Sequence, residues 1–188
     1  MTKIEPEAVV IGASAGALEA LSSILPALPA QFCLPVLVVV HVPPDKRSVM
    51  AELFRAKCHL RVEEAEDKQA IEPGTIYFAP PDYHLLVEID KTIALSSDEP
   101  VLFSRPSIDV LFESAADAYG PALVAIILTG ANQDGAKGLQ AVGAAGGVAL
   151  VQNPTTAFAR AMPEAAIERC PAAHVMSLAA IGDYLKEV

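Results

Sequence analysis

Three polar side chains in this sequence are of the types that carry out nucleophilic catalysis, and each follows a run of apolar residues. They are Ser14, His41 and Asp134, and the apolar runs before them cover residues 8–11, 36–40 and 124–128. A serine hydroxyl becomes a nucleophile when a neighbouring imidazole takes its proton, and the imidazole needs a carboxylate to fix its tautomer. One group of each kind, each at the end of a predicted strand, predicts a Ser-His-Asp hydrolytic site.

The segment 12–16 reads GASAG and matches the pattern G-x-S-x-G, in which small neighbours let a tight strand-to-helix turn present the serine. The helix that follows would supply amide groups that stabilise an oxyanion. Two other interpretations stay open, because a serine here is also typical of a helix N-cap or of a phosphate-binding turn. A dinucleotide fingerprint is not favoured, since Ser14 and Ala17 stand where G-x-G-x-x-G requires glycine.

His41 and Asp134 also have ordinary structural interpretations. A histidine directly after a buried strand is often a hydrogen-bonded strand end, and an aspartate before Gly135 often caps a helix that begins at Ala136. The combination of all three residue types favours the catalytic interpretation. Structural roles are expected for the other histidines, which are His59, His84 and His174.

The composition is that of an acidic and apolar chain. Its 188 residues carry a formal net charge of −10, and 53% of them are hydrophobic. This excludes a disordered protein and disfavours nucleic acid or an anionic membrane as a partner. The three cysteines lack metal or redox spacing, which predicts reduced thiols. The acidic N-terminus does not resemble a signal peptide, and no apolar run is long enough to cross a bilayer, so we expect a cytoplasmic protein without membrane insertion.

Strand-length apolar runs alternate with helical patterns along most of the chain. Strands are predicted at residues 8–11, 36–40, near 62, 124–128, 148–151 and 174–176. Helices are predicted at residues 18–25, 48–56, 108–115, 136–145, 162–169 and 178–185. Short runs at 76–79, 84–87 and 92–95 predict a small antiparallel hairpin set. The alternation indicates an α/β fold, with a doubly wound, mostly parallel sheet, helices on both faces and a small antiparallel hairpin insertion, in a single domain over residues 1–188.

Ligands of such sheets bind outside the carboxyl ends of the strands, where the connections diverge. Ser14, His41 and Asp134 all lie at predicted strand ends of this kind. Arg160, Met162 and Glu164 follow another predicted strand and are placed at the border of the same site, without an assigned role. The sequence therefore predicts one site at one edge of the sheet.

Several short blocks of the sequence occur in the order seen in one known family. The blocks cover residues 11–14, 40–44, 64–67, 76–80, 105–112, 128–130, 134–136 and 161–165. Any one of them is weak evidence, but the ordered set is specific and extends over nearly the whole chain. The chain resembles the catalytic domain of the chemotaxis protein-glutamate methylesterases, the CheB family.

The resemblance implies a catalytic triad of Ser14, His41 and Asp134. It implies a serine esterase that hydrolyses glutamate methyl esters on the cytoplasmic helices of chemoreceptors, or on a similar signalling protein, and releases methanol, with glutamine deamidation as a further activity. Backbone amides near Ala15 and Ala131 would stabilise the oxyanion. We also expect Met162 to be one of the substrate-binding residues. No metal or organic cofactor is needed.

Two loops depart from the family pattern. The chain has Ala15-Gly16-Ala17 where threonine and two glycines are usual, and Ala131-Asn132 where methionine and glycine are usual. These departures favour an alternative function, a non-catalytic CheB-like binding or scaffold module of a signalling pathway, whereas the intact triad favours the esterase. Full family members commonly carry an N-terminal receiver domain. The length leaves no room for one, so we expect any receiver to be a separate partner protein.

Overall fold

The computed structural model describes residues 4–42 and 49–188. Its strands are β1 (Ala8–Ala13), β2 (Val36–Val40), β3 (Arg61–Glu64), β4 (Thr75–Phe78), β5 (His84–Val87), β6 (Ile93–Ser96), β7 (Leu123–Ile127), β8 (Val148–Gln152) and β9 (His174–Met176). Its α-helices are α1 (Ala17–Ile24), α2 (Met50–Arg55), α3 (Ile108–Tyr119), α4 (Ala136–Ala144), α5 (Ala161–Arg169) and α6 (Leu178–Lys186). Among the described residues no helix has the length and apolar character needed to cross a membrane.

Seven strands form one parallel sheet in the order β3-β4-β2-β1-β7-β8-β9. From β1 the chain first runs outward on one side, through β2, and later returns to add β7, β8 and β9 on the other side. The strand order therefore reverses between β1 and β7. Ligand sites of open α/β sheets lie at such a reversal, because the two connections leave the sheet in opposite directions and open a crevice.

The sheet is covered on both faces. Val9, Ile11 and Ala13 of β1 pack into one apolar cluster with α1, α2 and α6, while Ala8 and Val10 pack into a second cluster with α3, α4 and α5. Every residue of β1 is buried. A central strand that is buried on both faces reads as a continuous apolar run. β1 begins at the predicted residue, Ala8, and extends two residues beyond the predicted end, to Ala13.

The predicted doubly wound parallel sheet with helices on both faces is confirmed. The hairpin insertion is confirmed for β5 and β6, which pair antiparallel from His84 with Ser96 to Val87 with Ile93. The run at 76–79 was wrongly assigned to that insertion, since β4 pairs in parallel with β2 and β3. All four residues of β4 are buried, and a short buried run carries no periodicity that distinguishes the two sheets.

Three other predictions concern the ends of elements. The helix predicted from residue 48 is described from Met50, and its predicted start lies outside the described residues, as does the Pro43-Pro44 pair. The weakly indicated strand near residue 62 is present as β3. The division of the protein into domains stays a prediction.

Candidate active site

Ser14 is the first residue after β1 and begins the turn into α1. Its amide donates to the carbonyl oxygen of Thr129 at 2.9 Å, which fastens the turn to the loop after β7. The turn ends at Gly16, which has φ 83° and precedes the helix. A Cβ on Gly16 would lie 2.6 Å from Cβ of Phe158. Glycine is therefore required here both for the left-handed conformation and for the close approach of the 158 loop.

His41 lies beside Ser14 because their strands are in register. Ala13 pairs with Val40 across β1 and β2, and the His41 amide donates to the carbonyl oxygen of Ala13 at 3.2 Å. The side chains of Ser14 and His41 line the same cleft, which has a volume of about 550 Å³. The two residues that sequence reasoning selected as nucleophile and base thus line one cleft at one edge of the sheet.

Asp134 completes the arrangement. Nε2 of His41 lies 2.7 Å from Oδ2 of Asp134, and an ionised carboxylate can only accept, so Nε2 carries the proton that it donates. Nδ1 is then the unprotonated nitrogen of the neutral ring and the one able to take a proton from a serine. In the serine-protease triad the two nitrogens have the opposite assignment. The two uses of the ring are chemically equivalent, because each leaves one nitrogen free.

The Asp134 carboxylate is fully buried and accepts from four groups. Oδ2 accepts from Nε2 of His41 and from the Ile108 amide at 2.7 Å. Oδ1 accepts from Oγ of Ser107 at 2.9 Å and from the Asp109 amide at 3.0 Å. Asp134 therefore also caps the N-terminus of α3, where free amides and the helix dipole favour a negative charge.

These contacts decide the charge of Asp134. Burial by itself would raise the pKa of this carboxyl, but the hydrogen bonds from His41 and from the amides of Asp109 and Ile108 outweigh burial, so the pKa lies below its usual value. Asp134 is thus held as a carboxylate, which is the form that can orient the imidazole and stabilise its protonated state.

A second buried aspartate lies next to the first. Asp109 is 6% exposed, and its Oδ1 accepts from the amides of Gly135 at 3.0 Å and Gly138 at 2.7 Å, at the start of α4. Burial raises the pKa of Asp109 to about 6 despite the Gly138 amide, and the charge of neighbouring Asp134 adds to the shift.

His84, for which a structural role was predicted, supports the same helix start. The Ser107 amide donates to Nδ1 of His84 at 3.1 Å, and Nε2 of His84 lies 3.0 Å from the carbonyl oxygen of Glu99. A ring that accepts at Nδ1 and donates at Nε2 is the neutral tautomer. His84 is 2% exposed and holds the backbone of the serine that contacts Asp134.

A buried polar network fixes the loops around Ser14. Oγ1 of Thr129 donates to the carbonyl oxygen of Ala15 at 2.8 Å and accepts from the Ala159 amide at 2.9 Å. The Thr129 amide donates to Oε1 of Gln152 at 3.0 Å. Both side chains are 1% exposed. One threonine therefore joins the turn after β1, the loop after β7 and the loop before α5.

Ala15 and Ala131, the residues expected to supply oxyanion amides, both lie in turns at this edge of the sheet. Within residues 4–42 and 49–188, neither amide donates to a protein acceptor. The Asn132 side chain accepts from the Asp134 amide at 3.0 Å and lines the cleft. The loop that departs from the family pattern thus contributes one side chain to the cleft and leaves the Ala131 amide unpaired.

Met162 lies away from the clefts that Ser14 lines. Its side chain is fully buried, and a Cβ on Gly130 would come within 2.5 Å of its Cε. The Met162 amide donates to the Gly130 carbonyl oxygen at 2.9 Å. Met162 therefore packs against the loop after β7 and stabilises it. Arg160 and Glu164, also placed at the border, form an exposed ion pair with each other at 2.9 Å.

Two exposed aromatic side chains stand beside the site. Phe103 is fully exposed at 103% and lines the cleft of Ser14 and His41. Phe158 is 79% exposed and lines a second cleft, of about 560 Å³, that also contains Ser14. Large apolar side chains left open beside a reactive group are typical of surfaces that bind another molecule.

Sequence reasoning missed the groups that support the triad, which are Ser107, Asp109, Thr129 and Gln152. Two signals were present in the chain. Ser107 and Asp109 lie within the family block at residues 105–112, and Gln152 is a polar residue at the end of a buried strand. Their partners could not be read from the sequence, because each contact joins segments at least 20 residues apart.

Among residues 4–42 and 49–188, no group of three or more His, Cys, Asp and Glu side chains is placed to hold a metal ion. His59 and His174 are exposed, and neither lines a cleft with Ser14. The groups present at the site are those of acyl transfer: a serine, an imidazole with one free nitrogen, a buried carboxylate and unpaired amides.

Comparison with known proteins agrees with this chemistry. The sequence profile of the CheB methylesterase family matches residues 9–185. A Leptospira interrogans protein named for methylesterase and glutaminase activities is 47% identical over 177 residues, which cover 94% of this chain and 92% of that protein. A Methanosarcina mazei protein-glutamate methylesterase/protein-glutamine glutaminase is 34% identical over 96% of this chain, which spans about half, 51%, of that longer protein.

A solved structure extends the likeness to the fold. The crystal structure of the Thermotoga maritima CheB methylesterase catalytic domain matches with a TM-score of 0.92 and 33% sequence identity, over 98% of this chain and 99% of that one. The profile match, these two relatives and the shared fold each cover nearly the full length of the chain. The chain belongs to the CheB methylesterase family.

Proposed function

We propose that Ser14, His41 and Asp134 are the nucleophile, the general base and the orienting carboxylate with which this chain hydrolyses methyl esters of glutamate side chains in proteins. The observation that carries the assignment is the 2.7 Å contact between His41 and Asp134 at a cleft that Ser14 also lines. The relatives are named protein-glutamate methylesterases, and ester hydrolysis is a reaction that a serine, an imidazole and a carboxylate can catalyse together.

The first half of the reaction transfers the acyl group to the enzyme. Oγ of Ser14 attacks the ester carbonyl while Nδ1 of His41 takes the hydroxyl proton. The protonated ring is stabilised by Asp134, which stays ionised. His41 then returns the proton to the departing methoxide, so methanol leaves and an ester between Ser14 and the glutamate side chain remains.

The tetrahedral intermediate carries a negative charge on the former carbonyl oxygen. The amides of Ala15 and Ala131 are free to donate to it, and backbone amides need no particular side chain. The α1 N-terminus lies directly behind Ser14 and adds a favourable dipole. The two alanines that depart from the family pattern therefore retain the group that this step uses.

The second half of the reaction restores the enzyme. A water molecule gives one proton to Nδ1 of His41 as its oxygen attacks the acyl carbon, and this proton then passes to Oγ of Ser14. The glutamate side chain leaves as a carboxylic acid, which becomes the carboxylate by losing its remaining proton to solvent. A glutamine side chain can follow the same route, with ammonia leaving in place of methanol. The relatives are also named protein-glutamine glutaminases, and we propose this second activity for the same three residues.

The substrate that fits best is an extended protein surface, and we propose the methylated cytoplasmic helices of a chemoreceptor. The clefts at Ser14 are open, and Phe103 and Phe158 stand beside them. The net charge of −10 does not repel a neutral methyl ester, and it favours departure of the anionic carboxylate product. A separate receiver protein is proposed as a further partner.

The test is release of methanol from methylated receptor fragments. Wild-type protein should release it, Ser14→Ala should reduce release to background, and Ser23→Ala should match wild type, because Ser23 is an exposed serine on α1 whose hydroxyl contacts only the Glu19 carbonyl oxygen. Equal release by wild type and Ser14→Ala would refute the nucleophile assignment. Tight binding of the fragments without release by any variant would favour the scaffold function.

A further inference from the structure

We propose that Asp109 is a positioning residue of this esterase, which holds the loop carrying Asp134 and so keeps His41 oriented. The inference rests on the proposed function, in which Asp134 is the carboxylate that orients the base. Asp109 itself does not touch His41, Ser14 or the cleft that they line. Its influence passes through the backbone at the start of α4.

The two aspartates hold each other's helices. The Asp109 amide donates to Oδ1 of Asp134 at 3.0 Å. In return, the amide of Gly135, the residue that follows Asp134, donates to Oδ1 of Asp109 at 3.0 Å. These two bonds close a ring between the first turn of α3 and the residues before α4. Asp134 cannot turn away from His41 without stretching one of them.

A second bond fastens the ring to α4. The Gly138 amide donates to the same Oδ1 of Asp109 at 2.7 Å. The helices can approach this closely because Gly138 has no side chain: a Cβ there would lie 2.6 Å from Cβ of Phe112 and 3.1 Å from Cα of Asp109. Gly138 and Asp109 therefore form a single contact between α4 and α3, and a substitution at either residue should weaken it.

The position of Asp134 matters more than its presence. Its Oδ2 must stay within hydrogen-bond distance of Nε2 of His41 while its Oδ1 binds Ser107. Small errors in the placement of a catalytic group lower the rate sharply, because the reacting atoms leave their aligned geometry. A loosened ring should therefore affect turnover before it affects the binding of substrate.

The experiment compares Asp109→Ala with Asp109→Asn. Both observed bonds to Asp109 use Oδ1 alone, so an asparagine can keep the acceptor while it loses the charge. We expect Asp109→Ala to lower kcat between about 10- and 100-fold with little change in KM, and Asp109→Asn to stay near wild type. Asp117→Ala is the matched control, since Asp117 is an exposed acidic residue of the same helix α3.

A spectroscopic signal separates positioning from general loss of structure. The ring proton on Nε2 of His41, shared with Asp134, is expected as a downfield proton resonance in wild type and in Ser14→Ala. It should move or broaden in Asp109→Ala and return in Asp109→Asn. This readout does not depend on turnover, so it tests the inference even if Ser14→Ala shows that the proposed function is wrong.

Gly138→Ala tests the same contact from the other side. It should lower kcat in the same direction as Asp109→Ala, and the double variant should be less impaired than two independent effects predict, because both changes break one contact. If Asp109→Ala does not fold, Gly138→Ala and Asp109→Asn decide the question. Wild-type kcat with an unchanged His41 resonance in Asp109→Ala or in Gly138→Ala overturns the proposal, as does a loss of kcat in Asp109→Asn equal to that in Asp109→Ala.

Discussion

Nε2 of His41 lies 2.7 Å from Oδ2 of Asp134, and the imidazole therefore presents Nδ1 as its free nitrogen. The bond joins residues that are 93 positions apart. It can form because β1 lies between β2 and β7, so that the loops after these three strands meet. The fold thus determines both that His41 and Asp134 come together and which ring nitrogen is left free.

Asp134→Asn should abolish most of the activity. All four groups around the carboxylate donate hydrogen bonds to it. An asparagine amide has one oxygen that accepts and one NH2 group that donates, so the NH2 group would face other donors. The tautomer of the imidazole is then no longer fixed. We expect kcat to fall by about 10³- to 10⁴-fold. Methanol release measures this change in kcat. The mass of the variant is determined first, to confirm that the new Asn-Gly sequence has not deamidated. A loss of less than ten-fold would contradict the assigned role of Asp134.

Thr129→Val should loosen the turn that carries Ser14 while preserving side-chain shape. The change leaves the Ala159 amide and the Ala15 carbonyl oxygen without their buried partner. We expect about 1–3 kcal/mol lower stability to unfolding and a lower kcat. Thr155→Val is the control, because Thr155 is exposed and bonds only to Asn153. Denaturant unfolding and methanol release should show both losses for Thr129→Val alone, and unchanged stability would argue against the network.

Phe103→Ser and Phe158→Ser should weaken substrate binding. Each ring stands exposed beside a cleft that contains Ser14, and burial of part of a phenylalanine by a protein substrate contributes about 1–2 kcal/mol. We expect KM to rise several-fold with kcat unchanged, as for a contact that is equal in the ground and transition states. Ile89→Ser is the comparison, since Ile89 is 71% exposed but lies in the β5–β6 turn. Equal KM values in all variants would exclude these rings from the docking surface.

Asp109→Asn should change how stability depends on pH. The pKa of Asp109 is raised to about 6 in the folded protein, so the contribution of this carboxyl to stability is full below the unfolded pKa near 4 and is lost as pH rises through about 6. Asparagine does not ionise, so the variant does not lose this stabilisation as the pH rises. Its stability relative to wild type should rise by about 2–3 kcal/mol between pH 4 and pH 7.

Urea unfolding at several pH values from 4 to 7 measures this difference. The charged groups that act on Asp109 are Asp134, Glu113 and Lys137. Asp134 has a pKa lowered by its hydrogen bonds, so its own stabilisation is lost only on acidification and is common to both proteins in this range. Asp117→Asn serves as the control, because Asp117 is an exposed acidic residue of α3. A stability difference that is constant with pH would show that the pKa of Asp109 is not raised in the folded protein.

The parts of the site that the sequence could predict are those with a local signal. A reactive residue that directly follows an apolar run, such as Ser14 or His41, marks a strand end by itself. The strand predicted at residues 76–79 was assigned to the wrong sheet, because a short buried strand has the same pattern in either kind of sheet. The contact between Asp109 and Gly138 depends on how closely two helices pack, and no pattern within either helix shows that distance.

The central position of β1 has a consequence for how the enzyme is made. Ser14 and His41 precede residue 42, whereas Asp134 and the helix start that holds it follow residue 106. No segment from one half of the chain can contain the triad, and the long loops that separate its members must close before the triad exists. Recovery of esterase activity after dilution from denaturant should therefore follow assembly of the sheet centre, and a nascent chain should stay inert until Asp134 has come together with His41.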